Sequence, residues 1–291
     1  MSRGAPEIKK LDDIANRIRI KVVKMIGCSG IGHLGGSVSI AEILAVLYFH
    51  ELRIDPKNPE WPDRDRFILS KGHGCPAVYA VFSEVGFISE ELLPTLHGID
   101  SPLQMHPEVG LCPGIEMSTG ALGQGLSAGI GMALGARMLS KDFRVYVLVG
   151  DGESGEGQVW EAAMFAGNNR MDNLVAILDY NKFGLTDRVQ NVMPLEPVCD
   201  KWTAFGWRVI EVDGHSVSQL IKAFDEARET KGKPTMIIAH TLKGRGISFV
   251  EDTAASHSVS FTKADLENTL KELGCPPGEI EQAVSQMKEY H

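Results

Sequence analysis

Apolar residues first recur at helical spacing: Leu11, Ile14, Ala15, Ile18, Val22, Met25 and Ile26 form one stripe with Lys and Arg between them. That stripe predicts an amphipathic helix. A glycine-rich turn, SGIGHLGG over 29–36, comes next. Ser39 with Glu42 reads as a capping box opening a helix that runs to about His50. The polar, proline-rich stretch 55–63 reads as a surface loop. RFILS over 66–70 reads as a short buried strand that runs into Lys71-Gly72-His73-Gly74 and a further helix.

The second half alternates regularly. Strands are predicted over 143–149 (FRVYVLV), 174–178 (LVAIL), 207–212 (WRVIEV) and 235–239 (TMIIA), with helices over 156–169 and 216–230 between them. Continuous apolar strands separated by helices indicate α/β architecture, a parallel sheet with helices on both faces. The tail carries two helices over about 262–289, split by Gly274-Cys275-Pro276-Pro277-Gly278. No repeat or linker interrupts the pattern, so residues 1–291 read as one domain.

The segment 120–139 is nearly uncharged and about long enough to cross a bilayer. It holds glycine at 120, 123, 125, 129, 131 and 135, with Gln124 and Arg137 inside. Small residues permit close backbone approach, so it reads as a core or subunit-interface helix and no membrane partner is expected. A net charge of −9 argues against nucleic acid as a partner. The five cysteines (Cys28, Cys75, Cys112, Cys199 and Cys275) contain no C-x-x-C pair, and the polar N-terminus lacks a signal-peptide core. A cytoplasmic location is the expectation.

The chemistry concentrates in GDGESGEG over 150–157, directly after one strand, and DYNKF over 179–183, directly after the next. Ligands of open parallel sheets sit outside the carboxyl ends of the strands. Asp151 and Asn181 can therefore face one crevice, offering a carboxylate, an amide oxygen and a backbone carbonyl near Phe183. Such a hard oxygen set suits Mg²⁺ or Ca²⁺ completed by phosphates and water. Gly150 and Gly152 let the backbone approach closely, and the following helix N-terminus favours an anion. GDG alone marks an ordinary turn; followed by Asn about thirty positions later across a strand–helix–strand unit, it is the thiamine diphosphate signature. Gly30, Gly32 and Gly35 also spell G-x-G-x-x-G, but an amphipathic helix precedes them where a dinucleotide site needs a strand.

Further segments carry a resemblance. SGIGH over 29–33 with the following LGGS is similar to the S-G-H-P-G turn of transketolases, with Leu34 in place of proline. RDRFILSKGH over 64–73 resembles their R-D-R-F-x-L-S-x-G-H stretch. MHPE over 105–108 and STGALGQG over 118–125 resemble G-H-P-E and T-G-P-L-G-Q-G, with Met105 for glycine and Ala121 for proline. TLKGRG over 241–246 and SHS over 256–258 resemble T-x-K-G-x-G and W-H-G. In the same order along almost the whole chain, these segments resemble the N-terminal part of the transketolase family.

The resemblance implies a pyrophosphate-type thiamine diphosphate-binding domain and assigns roles position by position. Asp151, Asn181 and the carbonyl of Phe183 would ligate Mg²⁺. His73, Gly152, Lys243 and His257 would surround the diphosphate, with Gly150 beside it and Gly120 and Leu122 against the aminopyrimidine. His33, His106 and His257 would line the substrate channel. Glu156 and Glu161 would join a carboxylate network between paired active sites. The implied activity is transfer of a two-carbon ketol unit between sugar phosphates. The implied partner is a separate C-terminal transketolase subunit, in an α2β2 assembly, that supplies the rest of the cofactor grip. The alternatives are a related thiamine diphosphate enzyme (deoxyxylulose-phosphate synthase-like, or a transketolase for an unusual sugar) and a non-catalytic assembly subunit. His50, His97, His215, His240 and His291 match no motif, and Cys75 reads as buried and inert.

Overall fold

The computed structural model describes residues 5–287; the expected helical positions 288 and 289, and His291, lie outside the described residues. Five strands, β1 (Arg66–Leu69), β2 (Val145–Gly150), β3 (Leu174–Tyr180), β4 (Arg208–Asp213) and β5 (Thr235–His240), form one sheet in the order β1-β2-β3-β5-β4. Every neighbouring pair is parallel. All five strand predictions hold to within two residues at their ends.

Helices α1 (Ala5–Ser29), α2 (Gly35–Val38), α3 (Ala41–Val46), α4 (Cys75–Val85), α5 (Gln124–Met138) and α6 (Gly157–Asn168) occupy the first part of the chain. Then come α7 (Val189–Val192), α8 (Val198–Ala204), α9 (Val217–Glu229), α10 (Lys263–Glu272) and α11 (Pro277–Gln286). Strand side chains alternate, so each central strand feeds two cores. Tyr146, Leu148, Val175, Ile177 and Ile237 pack with α1, α3, α4, α9 and α10. Val147, Val149, Ala176, Leu178 and Ile238 pack with α5, α6 and α8 on the other face. The predicted stripe of α1 is buried throughout, from Leu11 to Ile26.

Glycines of α5 have a packing reason. A Cβ at Gly129 would lie 2.5 Å from Val147 Cγ2, and one at Gly125 2.5 Å from Ser70 Cβ, so the helix axis sits closer to the sheet than any larger residue permits. The opposite side of α5 is open at Gly131 and Gly135. Among the described residues no helix is long and apolar enough to cross a membrane.

One local reading is corrected. Ser39 and Glu42 form no capping box, and 39–50 is not one helix. Ser39 closes the short α2, α3 begins after Ile40, and its end widens into a π turn over Leu47–Glu51. Both side chains make long-range contacts instead: the Ser39 hydroxyl donates to Asp179, and Glu42 accepts from Arg19. A capping box does form between Thr262 and Asp265 at the start of α10.

Candidate functional site

Parallel strands end together, and the register pairs Gly150 of β2 with Asp179 of β3. Asp151 and Asn181 therefore follow at adjacent tips, both buried. Asp151 accepts from the backbone N–H of Gly152 at 2.7 Å and from that of Lys182. Lys182 adopts φ 71°, a left-handed conformation uncommon for a residue with a side chain, which turns the chain sharply at the tip. Asn181 accepts from Phe183 N–H at 3.1 Å and donates to Asp179 at 2.8 Å. The Lys243 ammonium lies 3.5 Å from the Phe183 carbonyl oxygen and 2.6 Å from that of Gly184.

Electrostatics separates the two carboxylates. Burial, then the charge of Asp179, pushes Asp151 up to about 7, and the described residues form no ion pair with it. Asp179, fully buried, is held below the usual carboxylate range despite burial because the Lys71 ammonium stands 2.6 Å away. Ser39, Asn181 and Thr241 also donate to Asp179. A buried carboxylate without a cation is the arrangement a divalent ion relieves. With an amide oxygen and a main-chain carbonyl beside it, the donor set fits Mg²⁺ or Ca²⁺.

These tips open into a cavity of about 460 Å³. His33, His73, His106 and His257 line it, with ring centroids 5.1–6.0 Å apart for the pairs in contact. Burial first, then neighbouring cationic and imidazole groups, lowers His33 and His257 to about 4 and His73 to about 2. Burial lowers His106 as well. The cluster is thus neutral at pH 7, and each ring can donate one hydrogen bond and accept another. Burial, then Lys71, brings Lys243 down to about 8; it lies 3.2 Å from His257 Nδ1.

Turns rather than regular elements present these rings. His33 leaves α1 on a turn clamped by the Gly32–Val259 bridge. His73 sits in the 3₁₀ turn after β1, where a Cβ on Gly72 would strike the Thr119 backbone at 2.7 Å. Gly120, at φ 143°, lies against the His106 ring. The loop carrying Lys243 and His257 closes over Gly35, whose added Cβ would fall 2.3 Å from Ser256 Oγ, while Gly244 N–H donates to the Gly35 carbonyl at 3.2 Å.

Of the positions singled out in the sequence, His33, His73, His106, His257, Gly120, Leu122, Gly150, Gly152, Lys243, Asp151, Asn181 and Phe183 all line this cavity. Glu156 and Glu161 do not; they are exposed at the start of α6. The carboxylate that turns inward from the same loop is Glu153, which accepts from Gly123 N–H at 2.8 Å, Gly150 N–H at 2.9 Å and the Ser70 hydroxyl. Sequence reasoning also missed Lys71 and Asp179, whose pairing needs the β1–β2–β3 order. It left His215 unassigned, yet His215 bridges Glu42 at 3.0 Å and the backbone N–H of Leu242 at 2.9 Å, steadying the Lys243 loop. Cys75 is fully buried, and burial pushes its thiol up to about 12.

Comparison with known proteins places this geometry. The family model described as "Transketolase, thiamine diphosphate binding domain" matches residues 11–290. A 6-deoxy-6-sulfo-D-fructose transketolase subunit, SqwG, of Clostridium sp. (strain MSTE9) is 48% identical, over 89% of this chain and 94% of that protein. An apulose-4-phosphate transketolase subunit of Phocaeicola vulgatus is 41% identical, over 92% and 95%. The chain spans less than half of the longer relatives: 42% of human transketolase, at 45% identity, and 46% of the transketolase chain solved from Campylobacter jejuni. That solved chain superposes with a TM-score of 0.87 at 30% identity over 96% of this one.

Proposed function

This chain belongs to the family of transketolase thiamine diphosphate-binding domains, and we propose that it is the cofactor-holding subunit of a two-chain ketol transferase. The observation that carries the reading is the pair of strand tips, Asp151 and Asn181, opening into a cavity walled by four neutral histidines. Asp151, Asn181 and the carbonyl of Phe183 hold Mg²⁺. Gly152, His73, Lys243 and His257 surround the diphosphate beside Gly150, and Gly120 and Leu122 meet the aminopyrimidine. Bound thiamine diphosphate supplies the nucleophile and electron sink for cleaving the C–C bond next to a ketose carbonyl.

The chain's own residues do the positioning. His33, His106 and His257 hydrogen-bond sugar hydroxyls; being neutral, each donates one hydrogen bond and accepts another, and each can take a proton from a reacting hydroxyl and return it as imidazolium. Lys243, lowered to about 8 and still a cation at pH 7, faces the negative charge of the diphosphate. The substrate is a ketose with an anionic end group, as the names of both subunit-length relatives specify for theirs (a sulfo-sugar and a sugar phosphate).

The partner is a separate C-terminal subunit, in an α2β2 assembly. Two features support this. Subunit-length relatives are covered almost completely by this chain. Leu185, Val192 and Met193 are also 56–66% exposed around the cavity, an apolar rim of the kind that marks an interaction surface. Glu156 and Glu161, both exposed, are the carboxylates that would meet another protomer in such an assembly. Titrating wild type and Asp151→Ala with thiamine diphosphate and Mg²⁺, and assaying ketol transfer with and without the companion chain, tests the reading. Unchanged cofactor binding in Asp151→Ala would contradict it.

A further inference from the structure

A second cluster lies near the amino ends of the strands, away from the cavity, where the π turn Leu47–Glu51 packs beside the last turns of α9. His50, Glu51 and Asp225 there each present one ligand atom, and all three atoms lie within 4.8 Å of one another. The His50 side chain is completely shielded from solvent. Among the described residues neither of its ring nitrogens has a hydrogen-bond partner, and Asp225 Oδ1 stands 3.5 Å from its Nε2. Proteins rarely leave a buried polar ring unsatisfied, and a bound ion is one of the few arrangements that accounts for it. The π turn itself is a rare local geometry that is frequent at functional sites.

We propose that His50, Glu51 and Asp225 form a binding site for a divalent transition-metal cation of the Zn²⁺ type. One imidazole nitrogen and two carboxylate oxygens are ligands that zinc accepts and that Mg²⁺ and Ca²⁺, which take oxygen, do not prefer. Tetrahedral coordination at zinc's bond lengths needs donor spacings of roughly 3.3–3.5 Å, so the cluster has to contract. Asp225, half-exposed on α9, is the side chain free to move inward. Tyr146 donates to Glu51 Oε1 at 2.5 Å and fixes the carboxylate's orientation, as partners behind a metal ligand do.

Arg228 is the competitor. Its guanidinium pairs with Glu51 and lies 3.6 Å from Asp225 Oδ1, but 47% of it is exposed, so it can withdraw to solvent when the metal enters. The ion would clip the end of α3 to α9, the helix that leads into β5 and so to the loop carrying Lys243.

The test uses the full chain, stripped by chelator and then saturated with Mg²⁺ and thiamine diphosphate so that the large cavity is filled. Zn²⁺ is titrated with mass-spectrometric counting of bound metal, and Co²⁺ with its visible absorption. Wild type should bind one equivalent. Asp225→Ala, at a half-exposed position, should weaken binding by more than about tenfold, and Arg228→Gln, which removes the competing cation, should tighten it. Zn²⁺ affinity unchanged in Asp225→Ala overturns the proposal, as does an affinity that Arg228→Gln lowers.

Discussion

The tips of β2 and β3 end in two aspartates that look alike in sequence and are treated in opposite ways by the fold. Asp179 is buried against Lys71 and three further donors and stays ionised. Asp151 is almost equally inaccessible, has only backbone N–H donors among the described residues, and is pushed up to about 7. One tip is electrostatically complete within this chain. The other is balanced only when something positive arrives. On the proposed reading Asp179 is the structural carboxylate and Asp151 the one that receives the ligand.

Breaking the complete tip should have the largest effect. Asp179→Ala strands the Lys71 ammonium in the interior, and urea unfolding should show a loss of about 3–5 kcal/mol, whether or not Mg²⁺ is present. Asp151→Asn keeps the shape and removes the charge. Its fold should persist without metal, while thiamine diphosphate affinity in Mg²⁺, read by calorimetry, should fall by more than about 100-fold, beyond the range seen when a residue behind a metal ligand is changed.

Proton linkage sharpens the contrast. Between pH 4 and 6.5, metal-free folded protein keeps a proton on Asp151, at about 7, that the unfolded chain, at 3.8, has released; this makes stability fall as pH rises. His73, lowered from 6.5 to about 2, does the reverse: its contribution is full above 6.5 and is lost as pH falls, because only the unfolded chain takes up the proton. Each group contributes about 1.4 kcal/mol per pH unit. Unfolding across that window in chelator should therefore show a steeper acid loss in Asp151→Asn and a flatter one in His73→Gln. The smallest effect belongs to Ser39→Ala, which takes one of four partners from Asp179: about 1 kcal/mol of stability, with Mg²⁺-dependent cofactor binding unchanged.

The sheet was legible because its strands are apolar on both faces, and the tips were legible because strand ends carry motifs at fixed offsets. What escaped depended on tertiary partners. Ser39 and Glu42 have the spacing of a capping box, but a hydroxyl near a buried carboxylate serves that carboxylate first. Glu153 and Glu156 are indistinguishable in a run of glycines and acids until the 3₁₀ turn over Glu153–Gly155 sends the first inward and leaves the second at the helix start. Lys71 stands inside the segment 64–73 with nothing in the neighbouring sequence to give it a role, since its partner Asp179 lies 108 positions away.

The Gly32–Val259 bridge and the seat of Gly244 and Ser256 on Gly35 join the segment after α1 to the segment after β5 at the wall holding His33. A ribosome delivers those segments far apart in time. The emerging polypeptide can lay down β1 to β3 and both aspartate tips, yet the pouch stays unsealed until the stretch that precedes α10 is made. On the proposed reading cofactor capture waits for that stretch, because a nascent chain stalled before residue 244 still lacks His257, the last histidine of the wall, and the Ser256 seat on Gly35.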